Sequence, residues 1–590
     1  MNDRKAKLII GSLLHDIGKV IYREGGDKRN HSVSGYDYLK EEADIKEKEI
    51  LDCVKYHHAL LLKSANLEDD NLAYITYIAD NIAAFADRRE KENVDDKGFE
   101  IAVPLQSIFN ILNGNKQEYY YQPGDMDPES GINYPSEEKK NFSQTFYIKI
   151  RQRITDNLRG IDWNDEYVNS LLAVMEANLS YVPSSTAKAE LADISLFDHV
   201  KFTAAVASCI YDYLNAGKKN CKDELFTKEK EFYDRQAFLL CSLDISGIQN
   251  FIYTITSQNA LRTLRARSFY LEIMMEHIID TLLEKLELSR ANLLYSGGGH
   301  CYLLLANTED TLHKLEDWKK ELKLWFLKHF QNELFVACGY VKCSANSLRN
   351  IPEGSYSEMF RGVGEKLSAE KMHRYEADEI IWLNSQKADD YTKECKVCKH
   401  VGKVSEDGLC PLCSKIQKLS NNVLYSDFFS VVLEGEADGL PLPGGYLLLA
   451  DDEKTLSKRM EKDSYFVRVY AKNQMYTGKH IATKLWVGDY TTGDTFEKFA
   501  QKAEGIKRIG VLRADVDNLG QTFVAGFAGK YATLSRTAAL SRQLSIFFKY
   551  YIRSILKNGE YHIDGEKKLT ERNATIVYSG GDDVFIVGAW

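Results

Sequence analysis

The sequence predicts a multidomain α+β protein, and three observations carry that prediction. A strand–helix–strand–turn–strand pattern occurs twice, from Leu239 and from Ile509, with Tyr-Ser-Gly-Gly at the same place in both (Tyr295–Gly298 and Tyr578–Gly581). The N-terminal stretch is helix-rich and carries histidines and aspartates in order. Between the repeats lie two Cys-x-x-Cys pairs. Each observation assigns a different architecture to its stretch, so the chain divides into 1–95, 96–219, 220–385, 386–500 and 501–590.

A chain of 590 residues is several domains long. Its 44% hydrophobic and 27% charged content is ordinary for a soluble globular protein. Apolar runs stay below about 18 residues, which predicts no membrane span. Leu8–Leu14 is followed at once by His15 and Asp16, so it is no signal peptide. Mostly isolated cysteines suit thiols in a reducing cytoplasm. The net charge of −10 argues against a general nucleic-acid coat. It leaves room for local basic grooves and for partner subunits that carry the nucleic acid.

In the first block, Leu8, Ile9, Leu13, Ile17 and Val20 have helical spacing and predict a helix from Lys5 to Tyr22. His15 and Asp16 sit on it about 100° apart. They close round a metal only if other helices bring further ligands. His31, the pair His57-His58 and Asp80 are the candidates. Mixed imidazole and carboxylate ligands suit a transition metal such as Mn²⁺, Ni²⁺ or Co²⁺, able to activate water against a phosphodiester. This ordered set resembles the HD phosphohydrolase superfamily. Residues 96–219 read as a polar loop (Gln117 to Asn141) and helices such as Leu196 to Ala216, serving packing and connection with no chemistry assigned.

The first repeat runs from the strand ending at Asp244, Ser246 and Gly247, through a helix to about Leu286, to the Gly297-Gly298 turn. Thr308–Phe330 and Leu334–Lys342 add a helix and a fourth strand, completing a βαββαβ unit. Arg262, Arg265 and Arg267 either meet phosphate or form a solvated helix face. Cys395, Cys398, Cys410 and Cys413 have the spacing of a closed, tetrahedral structural Zn²⁺ site, with redox pairing as the alternative. Strands and turns fill 426–500, including Leu440–Ala450 and Thr477–Tyr490.

In the second repeat the strand from Ile509 ends in Asp515-Val-Asp517. A helix over about 534–556 follows, then a hairpin with Ser579, Gly580, Gly581, Asp582 and Asp583 at its tip. This is the order of a palm (ferredoxin-like) nucleotidyl-transfer domain. The glycines let a phosphate chain approach. Asp515, Asp582 and Asp583 are of the type that holds Mg²⁺ or Mn²⁺. In the first repeat Gly299 and His300 stand where the second has its acids. Two palms can thus place one nucleotide each, with only the second supplying metals. Asp244, Ser246, Gly247, Gly297 and Gly298 are the first repeat's candidate nucleotide contacts. Nothing after the second hairpin corresponds to Thr308–Lys342, so the second unit reads as truncated, with exposed apolar surface and an open sheet edge expected.

A helical HD block, a degenerate palm, a four-cysteine lobe and a Gly-Gly-Asp-Asp palm, in this order, resemble the large subunit of type III CRISPR effector complexes. The Csm-type (III-A) branch is the nearest in kind. Asp244-Ile-Ser-Gly-Ile-Gln, Trp486-Val-Gly-Asp-Tyr and Tyr578-Ser-Gly-Gly-Asp-Asp carry the likeness, which spans essentially the whole chain. The resemblance implies assembly with a CRISPR RNA and other Csm-type subunits, and activation by a complementary target RNA. It implies conversion of ATP to cyclic oligoadenylates, with Asp515, Asp582 and Asp583 in the metal roles and Gly580 and Gly581 by the triphosphate. It also implies cleavage of single-stranded DNA, with His15 and Asp16 central. Two other readings of the residues stay open: a stand-alone cyclase with an HD phosphodiesterase, and a non-catalytic scaffold of an RNA complex.

Overall fold

A computed structural model describes residues 1–27, 29–88, 98–126, 133–256, 259–387, 390–435, 438–474, 482–563, 565–569, 571–581 and 583–590. Asp582, and Thr477 with its neighbours to residue 481, lie outside the described residues.

The N-terminal helix α1 (Asp3–Leu14) is capped by Asn2, whose side chain accepts the Lys5 N–H. It stops short of the predicted Tyr22. His15, Asp16 and Ile17 form a turn, and α2 (Gly18–Glu24) begins anew. Packing explains the break. A β-carbon at Gly18 would sit 1.8 Å from the His31 carbonyl oxygen. Only glycine lets the start of α3 (His31–Glu41) come this close. α4 (Lys48–Lys55), α5 (Ala73–Asp87) and α6 (Leu196–Ala216) complete the bundle. Leu8, Ile75, Ile78, Phe202 and Val206 share one core. Thus α6, taken from sequence as a connector, is a wall of the N-terminal domain.

The first repeat contains β1 (Phe238–Ser246), α7 (Ala260–Lys285), β2 (Leu293–Gly297), β3 (His300–Ala306), α8 (Glu309–Phe330) and β4 (Phe335–Cys343). Its sheet order is β2-β3-β1-β4, all antiparallel, the βαββαβ unit expected. A further helix, α9 (Ser355–Met372), lies against it. The four cysteines precede and begin α10 (Pro411–Asn422). Its Ile416 and Leu419 share a core with α7. A mostly antiparallel sheet follows, ordered β6-β7-β5-β8-β9: β5 (Phe428–Leu433), β6 (Leu440–Leu442), β7 (Tyr446–Asp451), β8 (Phe466–Lys472) and β9 (Ala482–Leu485).

The second repeat has β10 (Ile509–Asp515), α11 (Leu534–Ile546) running into a π turn (Phe547–Tyr551), a small hairpin of β11 (Glu560–Ile563) and β12 (Glu566–Leu569), then β13 (Ala574–Gly580) and β14 (Asp583–Ala589). Its sheet order is β10-β14-β13. Among the described residues β10 is an edge strand of this sheet, and Val511 and Leu512 on it are exposed.

Buried ion pairs tie the second repeat to the N-terminal domain. Arg536, fully buried on α11, donates to both Asp193 carboxylate oxygens at 2.8 and 2.9 Å and to the carbonyls of Ala86 and Asp87. Arg542 does the same to Asp198. Removing one partner of such a pair leaves an uncompensated buried charge, at a cost of about 3–5 kcal/mol.

Candidate functional sites

The helical bundle gathers seven side chains at one point. His15, Asp16, Asp80 and His199 offer ligand atoms within 4.8 Å of one another, and His31, His57 and His58 form a second such group beside them. Asp16 spans both: one carboxylate oxygen lies 3.2 Å from His31 Nε2, the other 3.1 Å from His199 Nε2. Asp80 stands 3.2 Å from His199 and 3.5 Å from His15.

Outer contacts aim the imidazoles. Nδ1 of His15 bonds the Ser12 carbonyl, and Nδ1 of His57 bonds the Val54 carbonyl, both at 2.7 Å. Each bond puts the ring proton on Nδ1 and leaves the Nε2 lone pair facing the cluster. His199 Nδ1 lies 2.6 Å from Asp87, whose own carbonyl is held by Arg536. Nε2 of His15 and of His199 are buried without a hydrogen-bond partner. Such orphaned nitrogens, pointed at two carboxylates, fit a cation-binding centre.

The electrostatics agree. Burial would raise the carboxyls of Asp16 and Asp80, but Lys19 and the histidines around Asp16, and His15 and His199 around Asp80, hold both well below the usual range. Burial pushes His57 well down, and it pushes His58 down to about 4, so both present neutral ligands. His199 goes the other way: against burial, Asp16, Asp80 and Asp87 raise it.

His199 was missed from sequence. It lies far along the chain from Asp16, in an apolar helix. The available signal was the pair Asp198-His199 on that otherwise apolar face.

The second site lies between the two repeats. Strand register places Asp515 directly opposite Asp583. Like charges so paired destabilise a sheet, and a divalent cation offsets them. The two hairpin tips touch: a β-carbon on Gly581 would sit 2.6 Å from Gly298 Cα, so position 581 must be glycine. Beside this contact is a cleft of about 290 Å³. Asp515, Asp583, Ser579, Gly580, Gly297 and Gly298 line it. Sequence reasoning missed Lys549 and Glu272, an ion pair across the cleft from opposite repeats. The Ser579 hydroxyl donates to the Phe548 carbonyl, which steadies the π turn carrying Lys549.

Asp244, Ser246 and Gly247 fall outside that lining. The register pairs Asp244 with His300, the counterpart of Asp515 with Asp583. Asp244 lies 3.2 Å from His300 Nδ1 and accepts from Lys371 on α9 at 2.9 Å. Burial would raise its carboxyl, but the contacts with His300 and Lys371 outweigh it and lower it. Ser246 ends β1 opposite Phe335, and Gly247 turns the chain into the next helix. The arginines of α7 do not form a solvated face but are engaged within the protein, Arg265 and Arg267 being buried. Arg265 donates to the Thr575 hydroxyl of the second repeat at 2.5 Å. Arg267 donates to the Phe251 carbonyl and to Cys413 Sγ. Arg262 pairs with Asp494. The helix lies between the cysteine lobe and β13, which buries what would otherwise be its outer face.

The cysteine lobe brings Cys395, Cys398, Cys410 and Cys413 within 4.8 Å of one another. Cys398 and Cys410 are 3.6 Å apart at sulfur, no disulfide distance. The Cys410 N–H donates to Cys395 Sγ, and the Cys413 N–H to Cys410 Sγ. Donors aimed at sulfur are what a thiolate cluster requires.

A helical His/Asp cluster joined to two apposed palms defines the class to which this protein belongs. The family described as HD domain matches residues 1–84, that described as Csm1 subunit domain B matches 237–386, and that described as Cas10/Cmr2, second palm domain, matches 508–590. The CRISPR system single-strand-specific deoxyribonuclease Cas10/Csm1 (subtype III-A) of Enterococcus italicus is 42% identical over 100% of this chain and 78% of its own length. The Csm1 of a solved Csm1–Csm4 subcomplex of the type III-A CRISPR–Csm interference complex covers 100% of this chain, and 76% of that chain is covered, with a TM-score of 0.76 and 25% identity. A Csm1–Csm4 cassette solved with cA3 shares the fold at TM-score 0.74 and 23% identity, over 100% of this chain and 76% of that one. The chain belongs to the Cas10/Csm1 family of CRISPR subtype III-A.

Proposed function

We propose that this chain is the large subunit of a type III-A CRISPR RNA-guided effector with two activities, each switched on by target RNA. The paired palms make cyclic oligoadenylates from ATP, and the HD domain cuts single-stranded DNA. The carrying observation is the register pair Asp515–Asp583 set against the Gly297-Gly298 turn of the other palm across one cleft. Relatives named as single-strand-specific deoxyribonucleases, and a relative solved with cA3, support the two halves. CRISPR RNA, target RNA, single-stranded DNA and other Csm subunits are its partners in this reading. Its eleven free cysteines suit the reducing cytoplasm. No helix among the described residues is long and apolar enough to cross a membrane.

Asp515 and Asp583, with Asp582 beside them in sequence, would hold Mg²⁺ or Mn²⁺ in the palm cleft. His15, Asp16, Asp80 and His199, with His31, His57 and His58, would hold transition-metal ions such as Mn²⁺, Ni²⁺ or Co²⁺, and the four cysteines Zn²⁺. When bound, the first two kinds of cation neutralise phosphate charge and acidify an attacking hydroxyl or water. The chain's residues do the rest. The touching glycine turns leave backbone, not side chains, beside the triphosphate. Lys549 brings a positive charge to it, held by Glu272. In the HD domain, Ser12, Val54 and Asp87 fix which imidazole nitrogen faces the metal cluster.

The test is incubation of the subunit with partner subunits, guide RNA, matching target RNA, labelled ATP and Mg²⁺ or Mn²⁺, followed by chromatography. Wild type is run beside Asp582→Ala/Asp583→Ala. Oligoadenylates that need target RNA and vanish in the double variant are expected. No product from wild type would sink the cyclase half.

The zinc assignment makes its own prediction. Cys395→Ser or Cys410→Ser is expected to drop zinc from one equivalent per chain to near zero by elemental analysis. The site's apparent binding free energy is of order 10–16 kcal/mol, so its loss is expected to open residues 386–425 to proteolysis. Unchanged zinc content would refute it.

A further inference from the structure

Resting on the HD nuclease reading above, we infer that Phe99 and Tyr22 form a base-stacking platform at the mouth of the metal cluster and confer its preference for unpaired DNA. His15, Asp16, His57, Asp80 and His199 are buried, whereas the side chains of His31 and His58 are 25% and 30% exposed. The described residues therefore open the cluster to solvent on the His31–His58 side. A cavity of about 530 Å³ stands there, with those two histidines in its wall and Tyr22 and Phe99 among its lining.

Lys19, Arg23, Arg29 and Arg88 line this cavity, and the first three are tied down by contacts within the protein. Lys19 pairs with Asp16, Arg23 donates to the carbonyls of Pro183 and Ser184, and Arg29 pairs with Asp27 and Asp37. Phosphate attraction, from Arg88 or any other cation here, acts on the backbone and does not read the bases. The exposed aromatic rings are the groups that can tell a bare base from a paired one. Phe99 is 68% exposed and Tyr22 39%.

Phe99 is not on a loose tip. It bridges Ala187, with the Glu100 N–H donating to the Thr186 carbonyl and the Lys188 N–H to the Gly98 carbonyl. A large apolar ring exposed to water, on backbone that is itself paired, beside a nuclease centre suits one ligand chemistry, the flat face of a nucleobase. Bases in a duplex have both faces covered by their neighbours, while a single strand offers them freely. Stacking is sequence-tolerant, because every base has a π-face.

The experiment uses the full chain in its reconstituted, target-activated complex with Mn²⁺. Substrates are a single-stranded thymidine oligonucleotide and an abasic oligomer of the same length. Phe99→Ala is expected to raise KM for the thymidine strand about 5- to 150-fold, the range that about 1–3 kcal/mol of base–aromatic stacking corresponds to. Its kcat and its KM for the abasic oligomer stay within threefold of wild type. Phe99→Leu, which keeps apolar bulk but no ring, is expected to behave like Phe99→Ala, and Phe99→Trp like wild type. Unchanged KM in Phe99→Ala, or full rescue by Phe99→Leu, would overturn the platform and leave the nuclease standing. Failure of wild type to cut either substrate would instead strike the nuclease reading itself.

Discussion

Alanine in place of His199 is expected to abolish metal-dependent cleavage of single-stranded DNA while leaving oligoadenylate synthesis within about threefold of wild type. The size follows from its position. Losing an outer partner of a metal ligand costs about 10–100-fold in affinity or activity, and His199 is itself placed as a ligand. Its Nε2 is buried, lacks a hydrogen-bond partner and sits 3.1–3.2 Å from Asp16 and Asp80. Asp87→Asn tests the outer contact separately. It keeps a group beside His199 Nδ1 but removes the charge, so a loss of about 10–100-fold is expected. Oligonucleotide cleavage across a Mn²⁺ titration separates the two variants. Asp87→Asn should recover at high Mn²⁺, and His199→Ala should not. If His199→Ala cuts DNA at the wild-type rate, the ligand set is wrong.

His199 also marks where sequence reading stops. His15, Asp16, His31, His57, His58 and Asp80 stood out because they are polar residues in a short helical block with apolar spacing. His199 lies on a helix that reads as packing, and only the tertiary fold brings it beside Asp16. The palms were legible for the opposite reason. Tyr-Ser-Gly-Gly recurs, and apolar runs lead into and out of it, so each copy reads as a strand, a tight turn and a return strand. The arginines of α7 were misread because a helix's outer face is solvated only if nothing covers it. Here β13 and the cysteine lobe do, turning Arg265 and Arg267 into buried structural donors. Lys549 escaped notice because its partner Glu272 comes from the other repeat, and such pairs have no local signature. The break of the first helix at His15 was hidden as well, since it arises from the approach of the His31 backbone to Gly18.

The two palms share a scaffold, and the second large prediction concerns what separates them. Asp515→Asn is expected to lower the rate of oligoadenylate synthesis about 10³-fold, the equivalent of about 4 kcal/mol of transition-state charge stabilisation lost with a metal ligand. Asp244→Asn, at the matching position of the first palm, is expected to change it less than about fivefold. The difference lies in the cross-strand partner. Asp515 faces Asp583, an arrangement of two carboxylates that a cation would relieve. Asp244 faces His300 and is also bonded by Lys371, so the protein itself supplies the positive charge that a metal would bring. A carboxylate so neutralised has little left to attract Mg²⁺, and it points outside the cleft lining. Initial rates of product formation by chromatography, with melting temperatures for both variants, give the comparison. Equal losses for Asp244→Asn and Asp515→Asn would mean that both palms carry metal. Restoring a carboxylate with His300→Asp sharpens the test. It recreates the paired acids in the first palm, and Lys371 then becomes the residue that decides whether a cation can enter.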